Sequence, residues 1–180
     1  MRNLFLTFIL SLISISCFCQ SFKIDRNLGF VDSSDNTKSF LIVSADGKNA
    51  SEIRSLLLGT LSKMFAHPDK AVSTIGDNIV VVNGYNNSLI DNGDTKTTNY
   101  CTFNYTYRIE IRDNRIKINA PVLSNFINHY KHGNFQIDKE FGPDMQYKLL
   151  TGADNATKSH KFFNDFVKSI KQGINSKDDW

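Results

Sequence analysis

Two histidines lie three residues apart in the segment His129-Tyr130-Lys131-His132. On a helix this spacing would bring two imidazoles close enough to share a metal ion, but a zinc site needs further protein ligands or water. No neighbouring Cys, Asp or Glu completes the set at a recognisable spacing. The simpler interpretation is two exposed histidines at the end of a short helix, so the sequence predicts no metal and no cofactor.

The other reactive groups also lack the spacing of a catalytic site. Asp91-Asn92-Gly93-Asp94 resembles a calcium loop, but its third position is a glycine where an oxygen ligand is required. Cys101 falls on the apolar side of a predicted strand, where a thiol stays protonated and inert. We therefore expect a non-enzymatic binding or interaction module with no catalytic residue. The alternative is a small envelope hydrolase or metal-dependent enzyme whose site is assembled from scattered residues such as His129, His132 and Asp144.

The clearest pattern in the chain is a strict alternation of apolar and polar residues between Tyr100 and Arg112. Such alternation over this length predicts a long strand with one buried and one solvated face. The residues predicted to point into solvent are Tyr100, Thr102, Asn104, Thr106, Arg108 and Glu110. Lys117 and Asn119 lie beside this row if the strand register permits. The row is the candidate binding surface, and the alternative is an ordinary solvated sheet face.

Two amphipathic helices are predicted from caps and periodicity. Asn49 can cap the first helix while Glu52 reaches back to it, in an asparagine version of the capping box. Apolar residues then recur at helical spacing, at Ile53, Leu56, Leu57, Leu61 and Met64. A closing helix over about residues 155–171 carries a second apolar stripe, made of Phe162, Phe163, Phe166, Val167 and Ile170.

The remaining chain divides into short strands and connections. Residues 39–43, 71–75, 79–82 and 115–119 are predicted strands, and residues 84–98 are a predicted exposed loop. Residues 20–37 are expected to form an extended lead-in, and residues 123–130 a short helix followed by irregular chain. The domain boundaries expected are a signal peptide over 1–19, one α+β domain over 38–174 and a frayed C-terminus over 175–180.

The order β-α-β-β-β-β-(α)-α predicts an α+β fold, in which two amphipathic helices cover one face of a curved antiparallel sheet. The apolar strand and capped helix of residues 40–65, the strand of residues 79–82 and the long hairpin of residues 100–118 resemble a family of exported bacterial domains, the domain of unknown function 4468 family. The similarity covers roughly residues 38–120. It implies a TATA-binding-protein-like (TBP-like) fold and brings no catalytic residues, because fold alone does not define function.

The N-terminal segment predicts export. Arg2, an apolar run over residues 4–15 and small residues before Gln20 are typical of a cleavable secretory signal, with cleavage after Cys19. A rival interpretation places a lipid on Cys17. We expect a periplasmic or secreted protein without a transmembrane segment after cleavage, because the apolar run is shorter than the ~20 residues that span a bilayer. Its partner is an envelope protein or a small ligand and not a nucleic acid, because basic residues are not clustered.

Overall fold

A computed structural model of the 180-residue chain describes residues 20–27, 29–87, 97–132, 135–152 and 155–176, with residues 97–99 described by their backbone only. The strands are β1 (Phe22–Asp25), β2 (Gly29–Asp32), β3 (Phe40–Ser44), β4 (Val72–Ile75), β5 (Ile79–Asn86), β6 (Thr97–Arg112), β7 (Arg115–Asn119), β8 (Val122–His132) and β9 (Phe135–Glu140). The helices are α1 (Ala50–Met64), α2 (Pro68–Ala71), α3 (Pro143–Thr151) and α4 (Ala156–Asn175).

The long strand β6 organises the main sheet, in which all strand pairs are antiparallel. One edge of β6 pairs with β5, which in turn pairs with β4. The other edge pairs with β8 over residues 97–106 and with β7 over residues 109–112. The strands β7 and β8 therefore lie end to end along one edge of β6, and each leads outward to a further strand, β3 or β9.

The core lies between this sheet and the two long helices. The predicted capping box is present: Asn49 accepts a hydrogen bond from the Glu52 backbone, and the Glu52 carboxylate accepts one from the Asn49 backbone. Helix α1 buries Ile53, Leu57 and Leu61 against the odd-numbered residues of β6, and α4 buries its own apolar stripe in the same core. The predicted α+β class, with amphipathic helices on one face of an antiparallel sheet, is confirmed.

The long helices cross at a close approach. A Cβ atom added to Gly173 on α4 would lie 1.9 Å from the Thr60 hydroxyl oxygen on α1, so the helices can come this close only because residue 173 has no side chain. A second glycine allows aromatic packing inside the sheet, because a Cβ on Gly84 of β5 would lie 2.1 Å from the ring of Tyr105 on β6. These close approaches explain why glycine occurs inside a strand at residue 84 and inside a helix at residue 173.

The segment of residues 20–37 differs from the expected lead-in. Its two short strands, β1 and β2, form a separate antiparallel hairpin that packs on the helix side of the core. Phe22 and Phe30 are buried there, and the Phe30 ring meets the Phe163 ring of α4 edge-on at 4.5 Å. The Asn164 side chain accepts a hydrogen bond from the Phe22 backbone amide and donates one to the Phe22 carbonyl. This hairpin is therefore an integral part of the fold.

The helix predicted over residues 123–130 is wrong, because this segment is strand β8. Its pairing with β6 shifts from Thr102 opposite Ile127 to Asn104 opposite Ser124, which leaves an extra residue in β8. Asn125 has a positive φ of 51° at this bulge, a conformation that asparagine tolerates better than most residues. The chain then turns back as β9, and the stretch expected to be irregular forms helix α3.

The remaining differences concern the connections. Strand β5 runs to Asn86, three residues into the predicted loop of residues 84–98, and the one-turn helix α2 precedes β4. Residues 88–96 lie outside the described part of the chain, and so does the aspartate-rich segment that resembles a calcium loop. The expected signal peptide of residues 1–19 and residues 177–180 also lie outside it. No helix within the described ranges is long and apolar enough to cross a membrane.

Candidate functional site: the outer face of the sheet

The sheet face directed away from α1 and α4 is here named the outer face. On β6 it consists of the even-numbered residues from Tyr100 to Arg112, because the odd-numbered residues Cys101, Phe103 and Tyr107 are buried under the helices. Register extends the face across the sheet, since residues directly opposite each other on antiparallel strands share a side. One row illustrates this and reads Ile75, Ile79, Glu110, Lys117 and Ile42 from β4 to β3.

The predicted surface residues all lie on this outer face, in different environments. Arg108 is exposed, whereas Asn104, Thr106 and Glu110 are half-buried. Thr106 donates a hydrogen bond to the Asn83 side chain on β5 at 2.8 Å. Thr102 differs from expectation: it is only 6 % exposed, because its hydroxyl is engaged by a histidine on the neighbouring strand.

That histidine is His129, which the sheet places between Thr102 and Asp138. Its Nε2 atom lies 2.9 Å from the Thr102 hydroxyl oxygen, and its Nδ1 atom lies 2.9 Å from Asp138 Oδ1 on β9. The ring also stacks on Tyr100, the residue opposite it on β6, at 4.7 Å between centroids. We name Tyr100, Thr102, His129 and Asp138 the His129 cluster.

The charge on Asp138 determines which nitrogen of the His129 ring carries the proton. An ionised carboxylate only accepts hydrogen bonds, so Nδ1 of His129 must carry the proton that is shared with Asp138. In the neutral imidazole, Nε2 then accepts from the Thr102 hydroxyl. The hydrogen bond from His129, together with one from Gln136, holds the pKa of the Asp138 carboxyl below its ordinary value. The cluster therefore fixes the imidazole in one orientation on the outer face.

Replacing His129 with alanine is expected to raise the pKa of Asp138 toward its ordinary value, because the larger of the two stabilising hydrogen bonds is lost. A lowered native pKa stabilises the fold above the unfolded pKa, and this contribution disappears as pH falls through the native pKa. Carboxyl-carbon NMR titration measures the shift directly. The control is Lys131→Ala, an exposed change on the same face of β8. An unmoved Asp138 titration in the His129 variant would contradict the assigned hydrogen bond.

The opposite end of the outer face is basic. Glu110 lies 3.5 Å from the Lys117 ammonium and 3.7 Å from Arg108, and it accepts a hydrogen bond from the Asn119 amide. The Asn119 hydrogen bond, aided by the Lys117 charge, lowers the pKa of the Glu110 carboxyl. The Lys117 ammonium also lies 4.9 Å from the centre of the Phe40 ring. A shallow cavity of about 290 Å³ is present here, lined by Phe40, Ile42, Glu110, Arg112, Arg115 and Lys117.

Large apolar side chains are also exposed among these polar groups. Tyr85 lies opposite Asn104 and is 62 % exposed, and Val122 lies opposite Thr106 and is 66 % exposed. Ile75 and Ile42 add exposed apolar surface toward the two ends of the sheet. The outer face is thus a mixed surface, with aromatic, aliphatic, amide, hydroxyl and charged groups side by side.

The histidines and Asp144 are not assembled as the enzyme alternative requires. His129 and His132 lie on a strand instead of a helix, and their odd separation of three residues directs them to opposite faces of the sheet. Asp144 lies in the first turn of α3. Within the described ranges, no group of three or more His, Cys, Asp or Glu residues is arranged to hold a metal ion.

Sequence reasoning missed several residues of the outer face, namely His129 as part of the cluster, Asp138, Tyr85, Val122 and Phe40. The cluster was hidden because residues 123–130 were assigned to a helix, which separates His129 from Thr102. The signal that could have revealed it is the short alternation from Phe135 to Lys139, which predicts a partner strand. Tyr85 was assigned to a loop, although it continues the strand that begins at Ile79.

Comparisons with known proteins bear on the fold. No family model and no curated protein matches the sequence. Among solved structures, a TBP-like protein from Parabacteroides distasonis is similar with a TM-score of 0.51 and 12 % identity, over 77 % of this chain and 92 % of that one. A DUF4468 family protein from Bacteroides ovatus aligns with a TM-score of 0.46 and 9 % identity, over 78 % and 87 %. The first likeness confirms the expected TBP-like fold.

Proposed function

We propose that this chain is an exported, non-enzymatic binding module of the domain of unknown function 4468 type, and that it engages its partner through the outer face. The observation that carries the proposal is the one-sided placement of α1 and α4, which leaves a broad sheet surface unused by the core. An antiparallel sheet can leave such a face to solvent, so the side chains on the face decide between solvation and binding.

Those side chains support binding. Single exposed apolar residues are normal on a solvated face, but this face exposes several large ones, among them Tyr85, Val122 and Ile75, beside hydrogen-bonding and charged groups. Tyrosine and arginine are enriched in protein interfaces, and Tyr85, Tyr100 and Arg108 share this face. Thr102 is excluded from direct contact because it is covered. The contact residues proposed from the predicted row are Tyr100, Asn104, Thr106, Arg108 and Glu110.

One observation favours the enzyme alternative and another argues against it. Thr102, His129 and Asp138 are hydrogen-bonded in the order of a nucleophile, a base and an orienting acid. However, a nucleophilic hydroxyl has to meet its substrate, and Thr102 is covered in the middle of a strand. The cluster is better explained as a device that fixes the His129 and Tyr100 rings on a binding surface.

Export is supported by cysteine chemistry. Cleavage after Cys19 would leave Cys101 as the remaining cysteine of the chain. Cys101 is buried, its thiol lies 3.3 Å from the Asn128 side-chain oxygen, and burial raises its pKa to about 11. A thiol that stays protonated resists oxidation and disulfide exchange. The mature chain is therefore chemically suited to an oxidising compartment without needing a disulfide.

Site-specific photocrosslinking tests the proposed surface. A photoreactive amino acid at Thr106 on the outer face is expected to capture a partner in cells that export the chain, whereas the same amino acid at Lys158 on the exposed side of α4 is not. Adding Asn104→Ala and Arg108→Ala should abolish capture from position 106. Stability should stay within about 0.5 kcal/mol per change, because Arg108 is exposed and Asn104 points away from the core on the outer face. Equal capture from both positions, or capture that survives the double variant, would refute the proposal.

A further inference from the structure

The main sheet ends in three strands, β3, β4 and β9. The edge strand β4 is four residues long. The end of β3 is met by helix α4, because the Asn175 side chain donates a hydrogen bond to the Ser44 carbonyl at 3.0 Å. Strand β9 differs from both: it has six residues, all are exposed, and within the described chain it pairs with β8 alone.

On the helix side of the sheet, β9 carries apolar side chains that no helix within the described residues covers. Phe135 is 59 % exposed and Ile137 is 46 % exposed, and Tyr130 lies opposite Ile137 on β8. The helices pack over the other end of β6, around Phe103 and Tyr107, and do not cover these side chains. An edge strand with unpaired backbone groups and exposed apolar side chains is a template for pairing with another strand.

We propose that β9 pairs with β9 of a second copy of this chain, antiparallel and about a two-fold axis through Ile137. In antiparallel pairing, directly opposite residues share a face of the sheet, so even-numbered residues meet even-numbered ones and odd meet odd. With Ile137 opposite Ile137 of the second copy, Phe135 meets Lys139 and Gln136 meets Asp138. The pairs formed by residues 135–139 in this register are complementary.

On the helix side, this register builds a continuous apolar row. Ile137 of one copy meets Ile137 of the other, and each is flanked by Tyr130 of its own chain, so the exposed apolar groups of both chains form one row across four strands. The Lys139 side chain lies over the Phe135 ring of the second copy, where its alkyl stem packs on the ring and its ammonium group is attracted to the ring face. The interface thus covers the apolar surface that β9 leaves exposed in the single chain.

On the outer face, this register adds polar contacts to those within each chain. The Gln136 amide donates one N–H to Asp138 of its own chain, and its second N–H can donate to Asp138 of the second copy; the same contact occurs twice because of the two-fold symmetry. Moving the axis to Asp138 would place two carboxylates directly opposite each other, and like charges in that position are destabilising. Charge repulsion therefore disfavours the register centred on Asp138, whereas the register centred on Ile137 places Gln136 opposite Asp138 and Lys139 opposite Phe135.

The proposed dimer has a consequence for binding. A two-fold axis perpendicular to the sheet keeps both outer faces on the same side of the joined sheet, with the His129 clusters next to the interface. Two linked sites can bind a bivalent or repetitive partner more tightly than one site does. The dimer is nevertheless independent of the proposed function, because it uses the edge of β9 and not the row on β6.

Sedimentation velocity of the mature full chain over a concentration series tests the dimer. The wild type is expected to dimerise and to dissociate on dilution. Ile137→Lys should abolish the dimer, because two ammonium groups would face each other across the axis. An equimolar mixture of Ile137→Lys and Ile137→Glu should restore it as a heterodimer, since opposite charges then meet. The matched control is Ile75→Lys, the same change at an exposed position of β4, which should leave the dimer unchanged.

Disulfide trapping gives an independent measurement. Ile137→Cys is expected to form a covalent dimer under mild oxidation, faster than Ile75→Cys, and the buried Cys101 does not interfere. Circular dichroism checks that each variant keeps its fold. A wild type that stays monomeric at every concentration overturns the proposal. A dimer that survives Ile137→Lys, or equal trapping at positions 137 and 75, overturns it as well.

Discussion

A chain that ends at Gly152, and therefore lacks α4, is expected to lose its cooperative thermal unfolding transition. Helix α4 supplies a large part of the core through its buried side chains, which are Ser159, Phe163, Phe166, Val167, Ile170 and Ile174. Without the helix, the apolar faces of α1 and of the β1–β2 hairpin would be exposed to water. The expected result is a partly folded or aggregated chain, not a smaller domain.

Contacts around Phe163 explain the size of the effect. Its ring packs against Phe30 at 4.5 Å and against Phe103 at 6.2 Å, so it joins the hairpin to the sheet. Its carbonyl accepts a hydrogen bond from the buried Tyr107 hydroxyl at 3.1 Å. One buried phenylalanine replaced by alanine costs about 3–5 kcal/mol, and a whole domain is stable by about 5–15 kcal/mol. Removing the complete helix exceeds that margin.

Differential scanning calorimetry and near-UV circular dichroism measure the outcome for α4. The point variant Phe163→Ala should keep a transition at a clearly lower temperature. The matched control, Lys158→Ala with Lys168→Ala, changes the exposed side of the same helix and should melt close to the wild type. A truncated chain that melts cooperatively near the original temperature would show that α4 is not integral to the core.

The central fold could be predicted where apolar residues recur with a regular period over several turns of a helix or several positions of a strand. In β6, apolar and polar residues alternate over more than ten positions, and between Cys101 and Ile111 the odd residues are buried, except the half-buried Tyr105, as the period of two requires. In α1 the predicted cap and stripe are both present, because capping groups and the apolar face are local properties of the sequence. The stripe of α4 likewise faces the core.

The error at residues 123–130 has a specific physical cause. Leu123, Phe126, Ile127 and Tyr130 recur at the spacing of one helix face, so the sequence of this segment also fits a helix. In the structure, the bulge at Asn125 inserts an extra residue into a strand, so that Phe126 enters the core while Ile127 lies on the outer face. A bulge converts a period of two into a spacing that imitates a helix.

The hairpin β1–β2 was missed because its signal is not local. Each strand has four residues, and the segment around Asp32–Asn36 is polar, so composition favours an extended lead-in. The hairpin is stabilised by α4, which lies more than a hundred residues away in sequence and contributes the Asn164 and Phe163 contacts. Short strands held by distant partners have no periodic signature that sequence reasoning could use.

The candidate site was predicted in outline and not in detail. Alternation on β6 identified which residues point away from the helices, and the neighbours Lys117 and Asn119 were placed correctly by the hairpin turn. The burial of Thr102 depends on His129 from β8, which no pattern within β6 reveals. Whether a residue on a correct face is accessible is decided by its cross-strand neighbours, and these require the register.

Replacing Phe103 with alanine is expected to destabilise the fold by about 3–5 kcal/mol, because it empties the aromatic centre of the core. The Phe103 ring stacks on Phe126 of β8 at 5.2 Å and packs against Phe162 and Phe163 of α4. It is fully buried, and its ring contacts join β6 and β8 to α4.

The adjacent residue provides the matched control for Phe103. Asn104 lies on the same strand but points to the outer face, and Asn104→Ala should change the free energy of unfolding by about 0.5 kcal/mol or less. Urea unfolding followed by far-UV circular dichroism measures both variants under identical conditions. The contrast between neighbouring positions follows from the alternation of β6, because the two side chains occupy opposite faces. Similar losses at both positions would contradict the assignment of Phe103 to the core and of Asn104 to the outer face.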